Sequence, residues 1–289
     1  MKINRIAILP SLCTLGNALA GFAAITYTWR ALVTSIERTG DALAPHDIIL
    51  AGVCVLVGMA FDALDGRLAR FARATSSFGG QLDSLADGIT FGVAPAFLMN
   101  RVVVEPLKQA FPAPVQGVLG VTWVCAAVYL ACALIRLARF NVENIHDEEA
   151  HRAFRGLPSP AAAGALVSVV IVVATCWQND AYPRLGKVIL CVMPLIAMLL
   201  GVLMVSNVRY LHLLNYVFCG RQPISYLVRT VLIIALGILV IYYVGLPVGL
   251  MLGFGGYVLS GPAIGLVNHF RNPPPAAAPP EQPDGGQKP

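Results

Sequence analysis

Apolar segments of about 20 residues recur along almost the whole chain and restrict its possible folds more than any other feature. One such segment, as an α-helix, spans the roughly 30 Å hydrocarbon core of a bilayer. The candidate helices lie near residues 7–28, 48–69, 79–99, 115–137, 158–177, 186–207, 224–244 and 246–268. Backbone polar groups must be satisfied inside a bilayer, and the alternation of a membrane β-barrel is absent. We therefore predict an all-α polytopic transmembrane bundle of about eight helices, with six or seven as alternatives.

The distribution of basic residues predicts how this bundle is oriented, because lysine and arginine favour the cytoplasmic side. With a cytoplasmic amino terminus, only Arg30, Arg38, Arg101, Lys108, Arg184 and Lys187 fall on the opposite side. We expect a bacterial or archaeal inner membrane protein whose residues 62–87 face the cytoplasm. The net charge of +5, spread over loops beside helices, fits a surface of anionic membrane lipids and not nucleic acid.

The chain is expected to contain one folded domain and a tail. Residues 1–271 are predicted to form the transmembrane domain, and residues 272–289 a disordered cytoplasmic tail. The tail, NPPPAAAPPEQPDGGQKP, is too rich in Pro and Gly to bury a core. The seven cysteines lack CxxC spacing, so neither a disulfide framework nor a zinc site is expected.

Four aspartates stand inside candidate membrane helices, namely Asp62, Asp65, Asp83 and Asp87, whereas the other eleven acidic residues fall in predicted loops or the tail. Spacings of i,i+3 and i,i+4 put each pair on one helical face. The connection between the helices is short, so all four carboxylates are expected to converge on one cavity. Such carboxylates repel each other and need protons or cations. Oxygen ligands without His or Cys suit Mg²⁺ or Mn²⁺, and we predict two such ions bridged by shared carboxylates.

Two alternatives accompany this interpretation. Buried carboxylates also mark ion pathways, so an ion-coupled transporter is the alternative from another class. Its acids should lie at several depths, whereas these lie at two adjacent helix ends, and no inverted repeat is evident. Glycines beside the cluster, such as Gly66 and Gly79, would let a ligand approach the backbone, but glycines also serve close helix packing in membranes.

The aspartates belong to a longer pattern, D-x2-D-G-x2-A-R-x8-G-x3-D-x3-D, formed without departure by Asp62, Asp65, Gly66, Ala69, Arg70, Gly79, Asp83 and Asp87. In this pattern the chain resembles the CDP-alcohol phosphatidyltransferases, helical membrane enzymes that move a phosphatidyl group from a CDP-linked lipid to an alcohol and release CMP. The resemblance implies that all four aspartates hold the metal ions and that Asp87 is also the general base. It further implies a homodimer, and a nucleotide and diphosphate site formed by Thr14, Asn17, Gly66, Ala69, Arg70 and Gly79. No side chain stands out as a covalent nucleophile, so we expect a single in-line displacement.

The acceptor alcohol is indicated by four other stretches, LPSLCTLGNALAGF, LIRLARFNVEN, FRGLPSPAAAG and LMVSNVRY. They resemble the phosphatidylserine synthase branch of this family, over about residues 8–230. That resemblance implies transfer from CDP-diacylglycerol to L-serine. A serine carboxylate favours a bidentate guanidinium, and the candidate acceptor residues are Arg136, Arg139, Asn141 and Ser159. The alternatives are arginines that merely flank a membrane helix, or a sister enzyme using glycerol 3-phosphate, inositol phosphate or choline.

Overall fold

The computed structural model describes residues 8–38, 43–72, 77–110, 116–146, 156–179, 183–208, 210 and 245–271. The regular elements of this part are α1 (Ile8–Arg38), α2 (Pro45–Ala72), α3 (Ser77–Asp87), a π-helical turn (Gly88–Val93), α4 (Ala94–Ala110), α5 (Gln116–His146), α6 (Ser159–Asn179), α7 (Pro183–Val205) and α8 (Leu246–Arg271). All of these elements are helical, which confirms the predicted fold class. The candidate helix at 224–244 and the tail at 272–289 lie outside the described residues, so the domain boundary at residue 271 stays a prediction.

Six helical segments of the described chain are long and apolar enough to cross a bilayer, and the protein is an integral membrane protein. These segments are Pro45–Gly66, Phe78–Lys108, Leu119–Val142, Ser159–Gln178, Val188–Val205 and Leu246–Gly265. The second of them runs without a break through α3, the π-helical turn and α4. The helix α1 is not among the six, but it packs along α2 and exposes Leu12, Leu19 and Phe22.

The helix α6 lies at the centre of the bundle, in contact with α2, α4, α7 and α8. Its residues 162–174 are buried without a break. A helix that is apolar all round belongs in a core, and this one is the most buried of the six spans. The helix α8 is the least buried of them. The helix α2, which carries Asp62 and Asp65, therefore packs directly against this buried centre.

Four acidic residues that the sequence placed in loops lie on helices instead, because the helices run beyond the apolar segments: Glu37, Asp47, Glu105 and Glu143. Asp47 stands in the first turn of α2, and Glu105 lies within α4. Asp47 and Glu105 are paired with cations. Nε of Arg30 donates to Oδ2 of Asp47 over 2.9 Å, and Glu105 pairs with Arg101 and Lys108 at 3.2 and 3.3 Å. These pairs lie away from the four aspartates. They stabilise the ends of α1, α2 and α4 that are remote from the aspartates.

Candidate active site

Three aspartate carboxylates meet where the end of α2 faces α3. One carboxylate oxygen from each of Asp62, Asp83 and Asp87 lies within 4.8 Å of the other two. Asp87 is buried, and the other two residues are half-buried. Both helical faces therefore contribute to one acidic group, although the residues come from opposite sides of the connection at 73–76.

Asp65 lies one turn from Asp62 on α2 and outside this group of three. Its carboxylate accepts hydrogen bonds from the Thr14 side chain and the Gly66 backbone. Oδ2 of Asp65 and Oδ1 of Asp83 are buried with no hydrogen-bond partner among the described residues. An unsatisfied buried polar atom costs about 1–3 kcal/mol. Unsatisfied carboxylate oxygens at this place fit a site that a cation completes.

The ion pairs described for Arg30, Arg101 and Lys108 lie elsewhere in the bundle. The side chains of Ala69 and Arg70 lie outside the described atoms, although both backbones belong to α2. The donor set consists of carboxylate oxygens alone, which suits Mg²⁺ or Mn²⁺ better than a softer metal. The residues of the cluster therefore fit a divalent cation.

Two polar residues of α1 contact the aspartates directly. Nδ2 of Asn17 donates to Oδ1 of Asp87 over 2.9 Å, and Thr14, one turn earlier, is hydrogen-bonded to Asp65. Both residues are buried. The family resemblance implied that Thr14 and Asn17 belong to the nucleotide and diphosphate site, and that role stays a prediction. Their observed contacts hold two carboxylates against α1.

A π-helical turn follows Asp87 immediately, where the sequence predicted an uninterrupted helix. The backbone N–H of Ala94 donates to the carbonyl of Ile89, which is the i→i−5 pattern of a π-helix. The carbonyl of Phe91 accepts a hydrogen bond of 2.9 Å from the hydroxyl of Tyr129. Thr90 donates over 2.8 Å to the carbonyl of Asn17. Sequence reasoning missed Thr90 and Tyr129; the available signal was one polar residue in the apolar stretch ITFGVAPAF.

The helix α5 carries three of the candidate acceptor residues, Arg136, Arg139 and Asn141, alongside α3. Ser84, which lies between the two aspartates of α3, donates to Oδ1 of Asn141 over 2.9 Å. Arg136 and Arg139 are half-buried, and Arg136 lies close enough to Tyr257 of α8 to interact with it electrostatically. The predicted end of this helix was near residue 137, but α5 continues to His146. These side chains are therefore held on a helix beside the aspartates.

Two of the stretches that indicated the acceptor meet in space. The N–H of Gly156 donates to the carbonyl of Val208 over 2.8 Å, and that of Leu157 to the carbonyl of Leu203 over 3.0 Å. Gly156 has φ near +90°, and a Cβ there would collide with the carbonyl oxygen of Met204. Only glycine suits that position. Ser159 is buried at this junction of α6 and α7, and its place in an acceptor pocket stays a prediction.

Residues 7–205 match the family model described as CDP-alcohol phosphatidyltransferase. This match covers more than half of the chain, so the protein belongs to that family, as the motif predicted. The CDP-diacylglycerol–serine O-phosphatidyltransferase of Helicobacter pylori is 33% identical over 211 residues, or 73% of this chain and 74% of the relative. The relative of the same name from Bacillus subtilis is 32% identical over 175 residues, 58% of this chain and 82% of its own. That from Methanocaldococcus jannaschii is 30% identical over 164 residues, 57% and 65% of the two chains.

Proposed function

We propose that this protein transfers the phosphatidyl group of CDP-diacylglycerol to L-serine and thereby produces phosphatidylserine and CMP. The observation that carries the proposal is the meeting of Asp62, Asp83 and Asp87 in one acidic group in a chain of this family. The relatives that bear the name of a serine transferase support serine as the acceptor.

The aspartates have two tasks in this reaction. Asp62, Asp65, Asp83 and Asp87 would together hold Mg²⁺ or Mn²⁺, as two ions. A divalent cation held by these residues would supply positive charge that makes the diphosphate more electrophilic and stabilises CMP as the leaving group. Asp87 takes the proton of the serine hydroxyl as its oxygen attacks phosphorus. The bond between phosphorus and the CMP oxygen breaks in the same displacement, so no phosphatidyl group is attached to the protein.

The backbone near Gly66 is open to a ligand. A Cβ added at Gly66 would meet no described atom within 4 Å. Within the described part of the chain, Gly66 is therefore not required for close packing between helices. We assign Gly66, with Ala69, Arg70 and Gly79 of the same motif, to the surface that holds the nucleotide and its diphosphate.

Gly66→Ala is expected to raise the KM for CDP-diacylglycerol about 10-fold, which corresponds to about 1.4 kcal/mol of lost binding. The same change should leave thermal stability equal or higher, because alanine is favoured over glycine within a helix by roughly 0.5–1 kcal/mol. Steady-state kinetics and thermal unfolding in detergent measure the two effects. Gly120→Ala is the matched control, since a Cβ there also meets no described atom; it should gain stability with an unchanged KM. An unchanged KM in Gly66→Ala would remove this residue from the nucleotide site.

The acceptor pocket is proposed to include Arg136, Arg139, Asn141 and Ser159. A guanidinium on α5 can bind the serine carboxylate through two hydrogen bonds. The bond between Ser84 and Asn141 keeps that part of α5 next to Asp83 and Asp87. The acceptor is thereby brought beside the proposed base.

An acceptor screen tests the proposed function. Purified protein with CDP-diacylglycerol and Mn²⁺ receives serine, glycerol 3-phosphate, inositol phosphate or choline, and both CMP and the lipid product are measured. We expect phosphatidylserine to exceed the other products by about 100-fold or more in kcat/KM, because a pocket built for one polar group leaves its own groups unpaired with another. Reactions without an alcohol measure background hydrolysis. Lipid formed from glycerol 3-phosphate but not from serine would contradict the acceptor while leaving the family unaffected.

The side of the membrane and the oligomeric state complete the proposal. The excess of basic residues beside the aspartate-bearing helix ends supports a site that faces the cytoplasm. The water-soluble serine would then meet the lipid substrate at the cytoplasmic surface. A homodimer, which the resemblance implies, stays part of this proposal.

A further inference from the structure

We propose that Asn17 and Thr90 form a positioning pair that fixes the carboxylate of Asp87. The inference rests on the proposed role of Asp87 as the base. It is separate from the predicted place of Asn17 at the nucleotide, and it assigns Thr90 no contact with the substrate. Both act through Asp87.

The hydrogen bonds of the pair run from the π-helical turn through α1 to the carboxylate. Thr90 donates its hydroxyl to the backbone carbonyl of Asn17 over 2.8 Å. The side chain of Asn17 donates through Nδ2 to Oδ1 of Asp87 over 2.9 Å. Asn17 and Thr90 are both 0% exposed. Because Asp87 and Thr90 are three residues apart, the two bonds tie this segment to one residue of α1 at both of its ends.

The chemistry of Asn17 favours a role at the carboxylate over a role in packing. Its Oδ1 is buried with no hydrogen-bond partner in the part of the chain that the structure describes. A buried amide loses solvation and recovers it only through hydrogen bonds. The amide of Asn17 recovers part of this solvation through its hydrogen bond to Asp87. An apolar side chain of similar size at this position would lose no such solvation. The amide is therefore suited to holding a carboxylate.

Two glycines make room for the pair between α1 and α2. A Cβ at Gly21 would lie 2.5 Å from Oγ1 of Thr90, and one at Gly58 would lie 2.5 Å from its Cγ2 and 3.0 Å from Oδ1 of Asn17. Both glycines lie inside long helices, where glycine is less favourable than alanine. The two glycines lower the intrinsic stability of α1 and α2, but they leave the space in which Thr90 packs between these helices.

The π-helical turn is supported separately from α5. The Tyr129 hydroxyl donates to the carbonyl of Phe91, the residue after Thr90, over 2.9 Å. Short π-helical segments are frequent at functional sites. Here the turn begins directly after Asp87 and contains Thr90. The side chain of the proposed base and the hydroxyl that supports it are thus set by one local distortion.

The consequence for the reaction concerns the second carboxylate oxygen. The hydrogen bond from Asn17 to Oδ1 of Asp87 fixes the direction of Oδ2, the oxygen that we assign to accept the serine proton. A base must lie within hydrogen-bond distance of that proton, and an error of about 1 Å in the placement of a catalytic group can cost about 100-fold in rate. Loss of the pair should therefore lower kcat and leave lipid binding almost unchanged.

Substitutions at Thr90 test the pair. Thr90→Val keeps the shape of the side chain but removes the hydroxyl, and we expect kcat to fall roughly 10- to 100-fold with the KM for CDP-diacylglycerol changed by less than about 2-fold. Thr90→Ser keeps the hydroxyl and should retain kcat within about 3-fold. Thr28→Val is the matched control. Thr28 is also 0% exposed, but within the described part of the chain its hydroxyl donates to the Ala24 carbonyl of α1 itself, over 2.8 Å.

A second measurement requires no turnover. Mn²⁺ alone is titrated into each purified variant, and we expect weaker binding in Thr90→Val than in Thr90→Ser or Thr28→Val. Equal effects of Thr90→Val and Thr28→Val on kcat and on Mn²⁺ affinity would overturn the positioning pair. So would a Thr90→Ser variant as impaired as Thr90→Val. If the parent protein uses an alcohol other than serine, the proposed acceptor fails, but CMP release and the Mn²⁺ titration still rank these variants.

Discussion

Asp87→Asn is expected to lower kcat by about 10²- to 10⁴-fold, the range over which a positioned general base contributes. The amide has nearly the same shape as the carboxylate, and its oxygen can still accept the hydrogen bond that Asn17 donates to Oδ1 over 2.9 Å. The side chain loses its negative charge and, with it, the proposed ability to take the serine proton. Binding of CDP-diacylglycerol should remain measurable, because three aspartates and the backbone at Gly66 are unchanged.

Single-turnover release of CMP in the presence of serine measures this effect, and binding of the lipid substrate is measured separately. Asp47→Asn is the matched control, since Asp47 is also a buried carboxylate and is paired with Arg30 at the opposite end of the α1–α2 hairpin. That variant should lose thermal stability and keep its kcat. Turnover by Asp87→Asn within about 3-fold of the parent would exclude Asp87 as the base.

Asp62→Asn is expected to reduce Mn²⁺-dependent activity by about 100-fold or more, because it removes a proposed direct ligand, and even indirect partners of a metal contribute 10- to 100-fold. The metal-free variant should at the same time unfold at a higher temperature than the parent. Three carboxylate oxygens lie within 4.8 Å of one another, and replacing one carboxylate by a neutral amide relieves repulsion and the cost of burying charge. Activity and stability thus move in opposite directions.

Thermal unfolding with EDTA and titration with Mn²⁺ separate these effects, and Asp47→Asn again serves as the control. Removing Asp47 breaks an ion pair, so stability should fall there and rise at Asp62. If Asp62→Asn destabilised the metal-free protein as Asp47→Asn does, the carboxylate would have a structural role. Mn²⁺ affinity equal to that of the parent would remove Asp62 from the metal site.

The all-α bundle could be predicted because bilayer thickness and backbone hydrogen bonding act on each segment separately. Five of the six membrane-spanning segments follow the predicted apolar stretches closely, and the sixth, Phe78–Lys108, runs well past the predicted end at residue 99. The helix ends were less predictable. The helices α4 and α5 run on to Ala110 and His146, since polar residues beyond an apolar segment can continue a helix. For the same reason Asp47 and Glu105 lie on helices and not in loops.

Part of the acidic site could also be predicted from the sequence, because it depends on local spacing. Spacings of three and four residues place side chains on one helical face independently of tertiary contacts. A short connection makes two helices neighbours. Asp62, Asp83 and Asp87 meet accordingly. Asp65 is instead hydrogen-bonded to Thr14, a contact with a helix that precedes it by about 50 residues and that spacing along α2 and α3 could not reveal.

The sequence by itself determined the membrane class, the family and the acidic residues, because each depends on segment length or on local spacing. Only the tertiary structure decided which partners hold those residues. Asn17 reaches Asp87 across 70 positions, and Thr90 reaches Asn17 across 73. Contacts over such distances depend on how α1 packs against α2 and on the π-helical turn after Asp87. No local pattern specifies either of them, because packing is set by the shapes of all the helices that meet there.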